Sequence, residues 1–183
     1  VSIIVCFTIF LISYGLNNQR VMVLSILLIG GLTGFLRYNF NPATIFMGDT
    51  GSLFLGFVIA CISLEGSYTA PTTVAILVPI IALGVPIIDM ILAIYRRTAQ
   101  GRHPFKADRE HVHHRLLEIG FSQRGAVILI YSITVVFCIV AILLTAVNNP
   151  TAAVLLIVIG AIIYIGVRRL GYFEIEALNW KKK

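Results

Sequence analysis

Residues Ala126–Val147 read AVILIYSITVVFCIVAILLTAV, 22 residues without one charged side chain. The hydrocarbon core of a bilayer is about 30 Å thick, and a helix needs about 20 apolar residues to cross it. This stretch predicts a transmembrane helix and sets the standard for the rest of the chain. Five further apolar stretches accompany it: Val1–Leu16, Val21–Leu36, Ser52–Leu64, Val74–Ile94 and Ala152–Val167. Several are short, so their ends are expected to run into the flanking Tyr14, Tyr38, Phe40 and Tyr68. Gly, Ala, Ser and Thr recur within them, which suits close helix packing in lipid. The expected fold is all-α: a polytopic transmembrane helix bundle of about six spans.

Composition agrees. Hydrophobic residues make up 58% of the chain and charged residues 12%, with a mean hydropathy of +0.96. A soluble domain carries about 25% charged residues, so this chain cannot cover itself with a polar surface in water. Residues 1–183 are expected to form a single membrane domain, with a cytoplasmic loop at 95–124 and a cytoplasmic tail at 168–183. The first apolar run starts at Val1 with neither Met nor a basic segment before it. A signal peptide would show a basic start and a small-residue cleavage site. The chain is therefore read as the C-terminal portion of a longer protein. Cys6, Cys61 and Cys138 lie in apolar stretches with no metal-type or disulfide spacing, and are read as small apolar fillers.

The net charge of +6 raises a nucleic-acid partner, but the placement of the cations argues for topology instead. With six spans, one side receives the 37–51 loop, the 95–124 loop and the tail. Together these hold 13 of the 14 Lys and Arg residues, and Arg20 alone falls outside. Cytoplasmic loops carry such an excess. On that side Asp49, the nearer end of the span holding Asp89, and all four histidines are expected to meet.

Three segments there carry chemistry. Gly48-Asp49-Thr50-Gly51-Ser52 stands just before the apolar run from Leu53, in a junction that begins at Asn41. Its glycines let the backbone turn and approach a ligand. Ser52 is expected to cap the following helix, whose N-terminal amides favour anions. A carboxylate at Asp49 suits Mg²⁺ completed by substrate phosphates and water; a plain helix cap with turn glycines is the alternative. The second segment is the span with Pro79, Gly84, Pro86 and Asp89. Proline kinks a helix, and a carboxylate within a span is tolerated mainly when it faces a bundle interior or an aqueous cavity. A structural pair of Asp89 with Arg96 or Arg97 competes with a functional role.

The third segment is Asp108–Gly120, read as a short helix capped by Asp108 and ended by Gly120. At 100° per residue Asp108, His111, His114 and Arg115 share one stripe, while His113 points elsewhere. Imidazolium and guanidinium both donate to phosphate oxygens, which favours anion binding over a solvated basic helix. A zinc site lacks cysteines and a His-Glu-x-x-His pattern. His103, in an exposed turn, receives no role.

Read together, Phe46-Met47-Gly48-Asp49-Thr50-Gly51-Ser52, Pro86-Ile87-Ile88-Asp89 with Arg96-Arg97, Pro104-Phe105-Lys106-Ala107-Asp108 and His111-Val112-His113-His114-Arg115 resemble the bacterial polyprenyl-phosphate N-acetylhexosamine-1-phosphate transferases of glycosyltransferase family 4. The resemblance runs over about residues 1–170. It implies a phosphoglycosyl transferase that moves sugar-1-phosphate, typically GlcNAc-1-phosphate from UDP-GlcNAc, to undecaprenyl phosphate with release of UMP, opening cell-envelope polysaccharide synthesis. It implies Mg²⁺, with Mn²⁺ as the alternative, and makes Asp49 the metal ligand or catalytic carboxylate. His111, His113, His114, Arg115, Gly48, Thr50, Gly51 and Ser52 would bind substrate, with Asp89, Asp108 and Asn41 in support. Val112 interrupts the histidine run, which looks like the N-acetylglucosamine branch rather than the muramyl-pentapeptide one.

The resemblance also implies an aspartate pair and a further Asn/Asp-rich segment on earlier cytoplasmic loops, and residues 1–40 match neither and contain no Asp or Glu. The chain alone is therefore expected to be inactive, its partner being the missing N-terminal half. The expected location is the bacterial cytoplasmic (inner) membrane, multi-pass, with the site on the cytoplasmic face. A homodimer is left open, and nucleic acid is not expected. A transporter or ion pathway using Asp89 and the histidines is the rival class; it predicts polar residues in several spans, whereas only Asp89 is charged within one.

Overall fold

A computed structural model describes residues 1–67, 79–99, 101, 103, 116–147 and 149–169. Its elements are all helical: α1 (Ser2–Gly15), α2 (Gln19–Asn39), α3 (Gly48–Ser67), α4 (Gly84–Ala99), α5 (Gln123–Ala146) and α6 (Asn149–Arg169). Helices α2, α5 and the Gly48–Gly66 part of α3 are long and apolar enough to cross a membrane. Most of each of those helices lies at the surface; only 11% of the best window of α2 and of α3 is buried. Faces as apolar as these belong in lipid, and the all-α membrane bundle stands.

Among the remaining stretches α1 and α6 fall where apolar runs were expected, and the Val74–Ile94 stretch is interrupted at Leu83. Helix α1 has 14 residues, or about 21 Å at 1.5 Å per residue. Around Pro79 the chain is helical over residues 79–82, turns at Leu83 and begins α4 at Gly84. Pro86 sits in the first turn of α4, where its missing N–H removes no helical bond. Helix α4 then continues five residues past Ile94 to Ala99. Asp89 therefore lies about 15 Å from the helix end instead of the roughly 8 Å implied by a span ending at Ile94. Arg96 and Arg97 occupy the last turn of α4, where cations complement the helix dipole, and Arg96 is buried.

The chain divides into two compact units. The first comprises Val1–Val85 and Ile130–Ala146. In it α1 and α2 form a hairpin around Leu16–Asn18. Asn17 takes a left-handed φ of 55°, which asparagine tolerates. Asn18 caps α2, its side chain accepting from Val21 N at 3.3 Å. The core joins Val5, Cys6 and Ile9 of α1 to Val21, Ile59, Ile62, Ala82, Cys138 and Ala141. Small residues in that set let helices approach closely, as lipid-embedded interfaces require. Cys6 and Cys138 are buried filler, as expected, whereas Cys61 is exposed.

Hydroxyls in this unit bond back to their own helix: Thr8 to Ile4 O at 3.0 Å, Ser63 to Ile59 O at 2.7 Å and Thr134 to Ile130 O at 2.8 Å. Apolar surroundings demand such internal satisfaction. Ser25 breaks the pattern, since its hydroxyl is buried without a partner among the described residues. Leaving a hydroxyl unbonded in an apolar site costs about 1–3 kcal/mol. Ser25→Ala is expected to raise the thermal midpoint of the purified protein; a midpoint that falls would show that Oγ is bonded in solution.

The second unit comprises Pro86–Leu129 and Val147–Lys183. Residues 116–118 are helical, and Gly120, at φ 103°, ends the turn. Gly120 N donates to Leu117 O and Phe121 N to Leu116 O, both at 3.0 Å. This is the double closure of a Schellman motif, so the expected stop at Gly120 holds. Two residues on, Ser122 starts α5, its Oγ accepting from Gly125 N at 3.1 Å.

Candidate functional site

The Asp49 segment belongs to the first unit and is built on the end of α2. Phe40 leaves the helix in an extended conformation, and the chain is tied straight back. Thr44 N and Ile45 N donate to Tyr38 O at 2.8 and 3.2 Å. Thr44 Oγ1 reaches the same carbonyl at 3.1 Å, and Asn39 Nδ2 donates to Ile45 O at 2.9 Å. The helix-end carbonyl that would otherwise lack a donor thus holds the loop. Asn41, a supporting residue in the sequence reading, is exposed within it. The tethers come instead from Asn39 and Thr44, which the motif alone does not single out. Their signal lies in polar side chains able to turn back on a neighbouring backbone.

Gly48 adopts φ 65°, and α3 begins at that residue. Placing a Cβ there costs about 1–2 kcal/mol. Gly51 is tight for a different reason: a Cβ on it would lie 2.6 Å from Met47 Cγ. The two glycines therefore do separate work, one turning the chain and one admitting Met47. Gly48→Val is expected to raise the rate of proteolysis within residues 40–50 of the full-length protein. Unchanged cleavage would show that the turn does not depend on glycine.

Because the helix starts at Gly48, Ser52 is not its cap. Its hydroxyl donates to Asp49 O at 2.9 Å, inside the first turn. Asp49 is the acidic residue of that turn, beside backbone N–H groups that have no helical acceptor. It is exposed, as are Gly48, Thr50 and Ser52. Among the described residues no side chain pairs with its carboxylate, and none form a group of three metal-ligating side chains. A single open carboxylate still matches what Mg²⁺ takes from a protein, namely one or two carboxylates, with phosphates and water supplying the rest.

Asp89 lies on α4, half-buried, in the second unit. Asp108, His111, His113, His114 and Arg115 lie outside the described residues. At the opposite end of α2 and α3 from the Asp49 loop, Arg20 Nη1 stands 3.7 Å from Glu65 Oε1. The one cation that the charge asymmetry left on the other side is thus accompanied by an acid, a pairing that sequence spacing does not reveal.

Comparison with known proteins agrees with the motifs. Residues 1–67, which contain α1 to α3 and the Asp49 segment, match the family described as Glycosyl transferase family 4. The chain is 49% identical over 131 residues to the probable undecaprenyl-phosphate N-acetylglucosaminyl 1-phosphate transferase of Bacillus subtilis (strain 168), covering 70% of this chain and 37% of that protein. It is 42% identical to a decaprenyl-phosphate N-acetylglucosaminephosphotransferase of Mycobacterium tuberculosis, over 60% of this chain and 30% of the relative. The undecaprenyl-phosphate alpha-N-acetylglucosaminyl 1-phosphate transferase of Escherichia coli (strain K12) is 36% identical, over 47% of this chain and 23% of its own length. The matched region thus spans about a third of these relatives or less. No solved structure matches the chain. The motifs, the helical architecture and these relatives together show that the chain belongs to glycosyl transferase family 4.

Proposed function

We propose that the protein containing this chain transfers GlcNAc-1-phosphate from UDP-GlcNAc to undecaprenyl phosphate, releasing UMP, at the cytoplasmic face of the bacterial inner membrane. The observation that carries this reading is Asp49, set on the first turn of α3 by a loop tied to α2 and paired with no side chain among the described residues. A phosphate oxygen of the lipid forms a bond to the phosphorus that carries the sugar. The bond from that phosphorus to the bridging oxygen breaks, and UMP leaves with that oxygen. Negative charge grows around the pyrophosphate, so the chain must offer positive partners and hold a neutralising ion.

Asp49 would hold Mg²⁺ (or Mn²⁺), which when bound neutralises charge on the pyrophosphate. First-turn amides of α3, with no side chain at Gly48 and open space where a Cβ would stand, give an anionic substrate close access to backbone. His111, His113, His114 and Arg115 would bind the nucleotide-sugar phosphates, with Asp89, Asp108 and Asn41 in support. The names of the relatives, which specify polyprenyl phosphates and N-acetylglucosamine, favour this acceptor and sugar.

Full-length protein in detergent, given UDP-GlcNAc, undecaprenyl phosphate and Mg²⁺, is expected to release UMP and form lipid-linked sugar phosphate in equal amounts. A chelator should stop both, and added Mg²⁺ should restore them. Absence of lipid-linked product with every UDP-N-acetylhexosamine tried would overturn the assignment.

A further inference from the structure

Helices α2 and α3 enclose a groove of about 580 Å³ that runs away from the Asp49 loop toward the Arg20–Glu65 pair. Its walls are apolar: Leu24, Leu27 and Leu28 on α2 face Phe54, Phe57 and Val58 on α3. Among the described residues, the only charged ones lining it are Arg20 and Glu65, together at one end. Their side chains are 86% and 43% exposed. At 3.7 Å the pair is also beyond the roughly 2.7–3.2 Å of an N–H···O hydrogen bond. Both groups therefore keep open hydrogen-bonding capacity toward a ligand.

Length decides what fits. From Arg20 to Leu28 the groove wall rises about 12 Å along α2, and from Phe54 to Glu65 about 16 Å along α3. Half of a bilayer's hydrocarbon core is about 15 Å. A groove of one-leaflet depth accepts a lipid chain, whereas a partner helix would need a face running the full thickness. The charges then select the headgroup. A phosphate suits Arg20 and an ammonium beside it suits Glu65, while a purely anionic headgroup would meet repulsion from Glu65.

We infer that this groove seats an acyl chain of a zwitterionic phospholipid, its phosphate on Arg20 and its primary ammonium on Glu65. The site is separate from the Asp49 segment and independent of the proposed reaction. It gives the protein a lipid contact chosen by headgroup at the end of α2–α3 opposite Asp49.

The test uses full-length protein, delipidated in detergent and offered equal amounts of phosphatidylethanolamine and phosphatidylglycerol before native mass spectrometry. Wild type is expected to retain phosphatidylethanolamine preferentially. Glu65→Gln should shift the ratio toward phosphatidylglycerol by about fivefold, the weight of one interfacial charge. Arg20→Gln should weaken retention of both lipids. Leu27→Trp, which fills the groove without touching the charges, should lower phosphatidylethanolamine retention as well. Arg20 is exposed and Glu65 only half-buried, so the folded protein is expected to survive both charge changes. Equal retention of the two lipids, or a preference that none of these variants alters, would overturn the inference. So would a wild-type protein that binds no lipid because a second copy or another part of its own chain fills the groove.

Discussion

Asp49→Asn in the full-length protein is expected to cut UMP release by about 10²–10³-fold, the range seen when one preorganised electrostatic partner is removed from a charged transition state. The same change should leave the thermal midpoint where it was. Asparagine has the shape of aspartate, the position is exposed, and no side chain among the described residues relies on the carboxylate. Surface substitutions of that kind stay within about 0.5 kcal/mol. The loop geometry also survives, because its tethers run through Tyr38 O, Asn39, Thr44 and Ile45 and never through Asp49. A metal titration separates the two roles left open for this residue. If Asp49 holds the ion, the residual activity of the variant should need more Mg²⁺ for half-saturation. If it acts on substrate, the Mg²⁺ requirement should stay fixed while the rate falls. A variant keeping more than half the wild-type rate would remove Asp49 from the site.

The contrast between Asp49 and Ser52 shows how far the motif itself can be read. Glycine, aspartate and hydroxyl in that order announce a turn into a helix, and the turn is there. Which residue starts the helix depends on the φ of Gly48, a property the letter G permits without specifying. The helix consequently begins four residues before Ser52. Membrane character was legible throughout, because an uncharged stretch such as Ala126–Val147 has few other fates. Helix ends were less so. Arg96 and Arg97 looked like the far side of a boundary, yet α4 carries them in its last turn. Charge ends a hydropathy window but not a helix.

Contacts between distant residues were the least legible. Nothing in local spacing ties Arg20 to Glu65, and the charge asymmetry could only mark Arg20 as an exception. An acid beside that cation lowers the net charge at its end of the helix pair. Asn39 and Thr44 were missed for a related reason: a tether is defined by where the chain returns, not by the residue that makes it. The paired reading of Asp108 with the histidines lies outside the described residues and rests on sequence spacing and family resemblance.

The break before α4 supplies the stability prediction with the largest effect. In the first unit the ring of Phe137 packs against Gly84 so closely that a Cβ there would lie 2.7 Å from Cδ2 and 2.8 Å from Cε2. An aromatic ring cannot bend away as the end of a methionine can, and Phe137 is only 9% exposed, so it has little room to retreat. Gly84→Ala is therefore expected to destabilise the full-length protein by about 1–3 kcal/mol, the cost of overpacking a filled site. Helix propensity pulls the other way, favouring alanine over glycine by up to about 1 kcal/mol in a helix interior, but less at Gly84, the first residue of α4. Shortening the opposing side chain should reverse the sign. Phe137→Leu alone loses packing, yet in that background Gly84→Ala is expected to be neutral or stabilising, because the added methyl enters the space the ring has left. The two changes are then strongly non-additive, and a double-mutant cycle on thermal midpoints reads the coupling directly. If Gly84→Ala lowers stability equally in both backgrounds, the penalty belongs to the backbone turn at Leu83, and the Phe137 contact is not its cause.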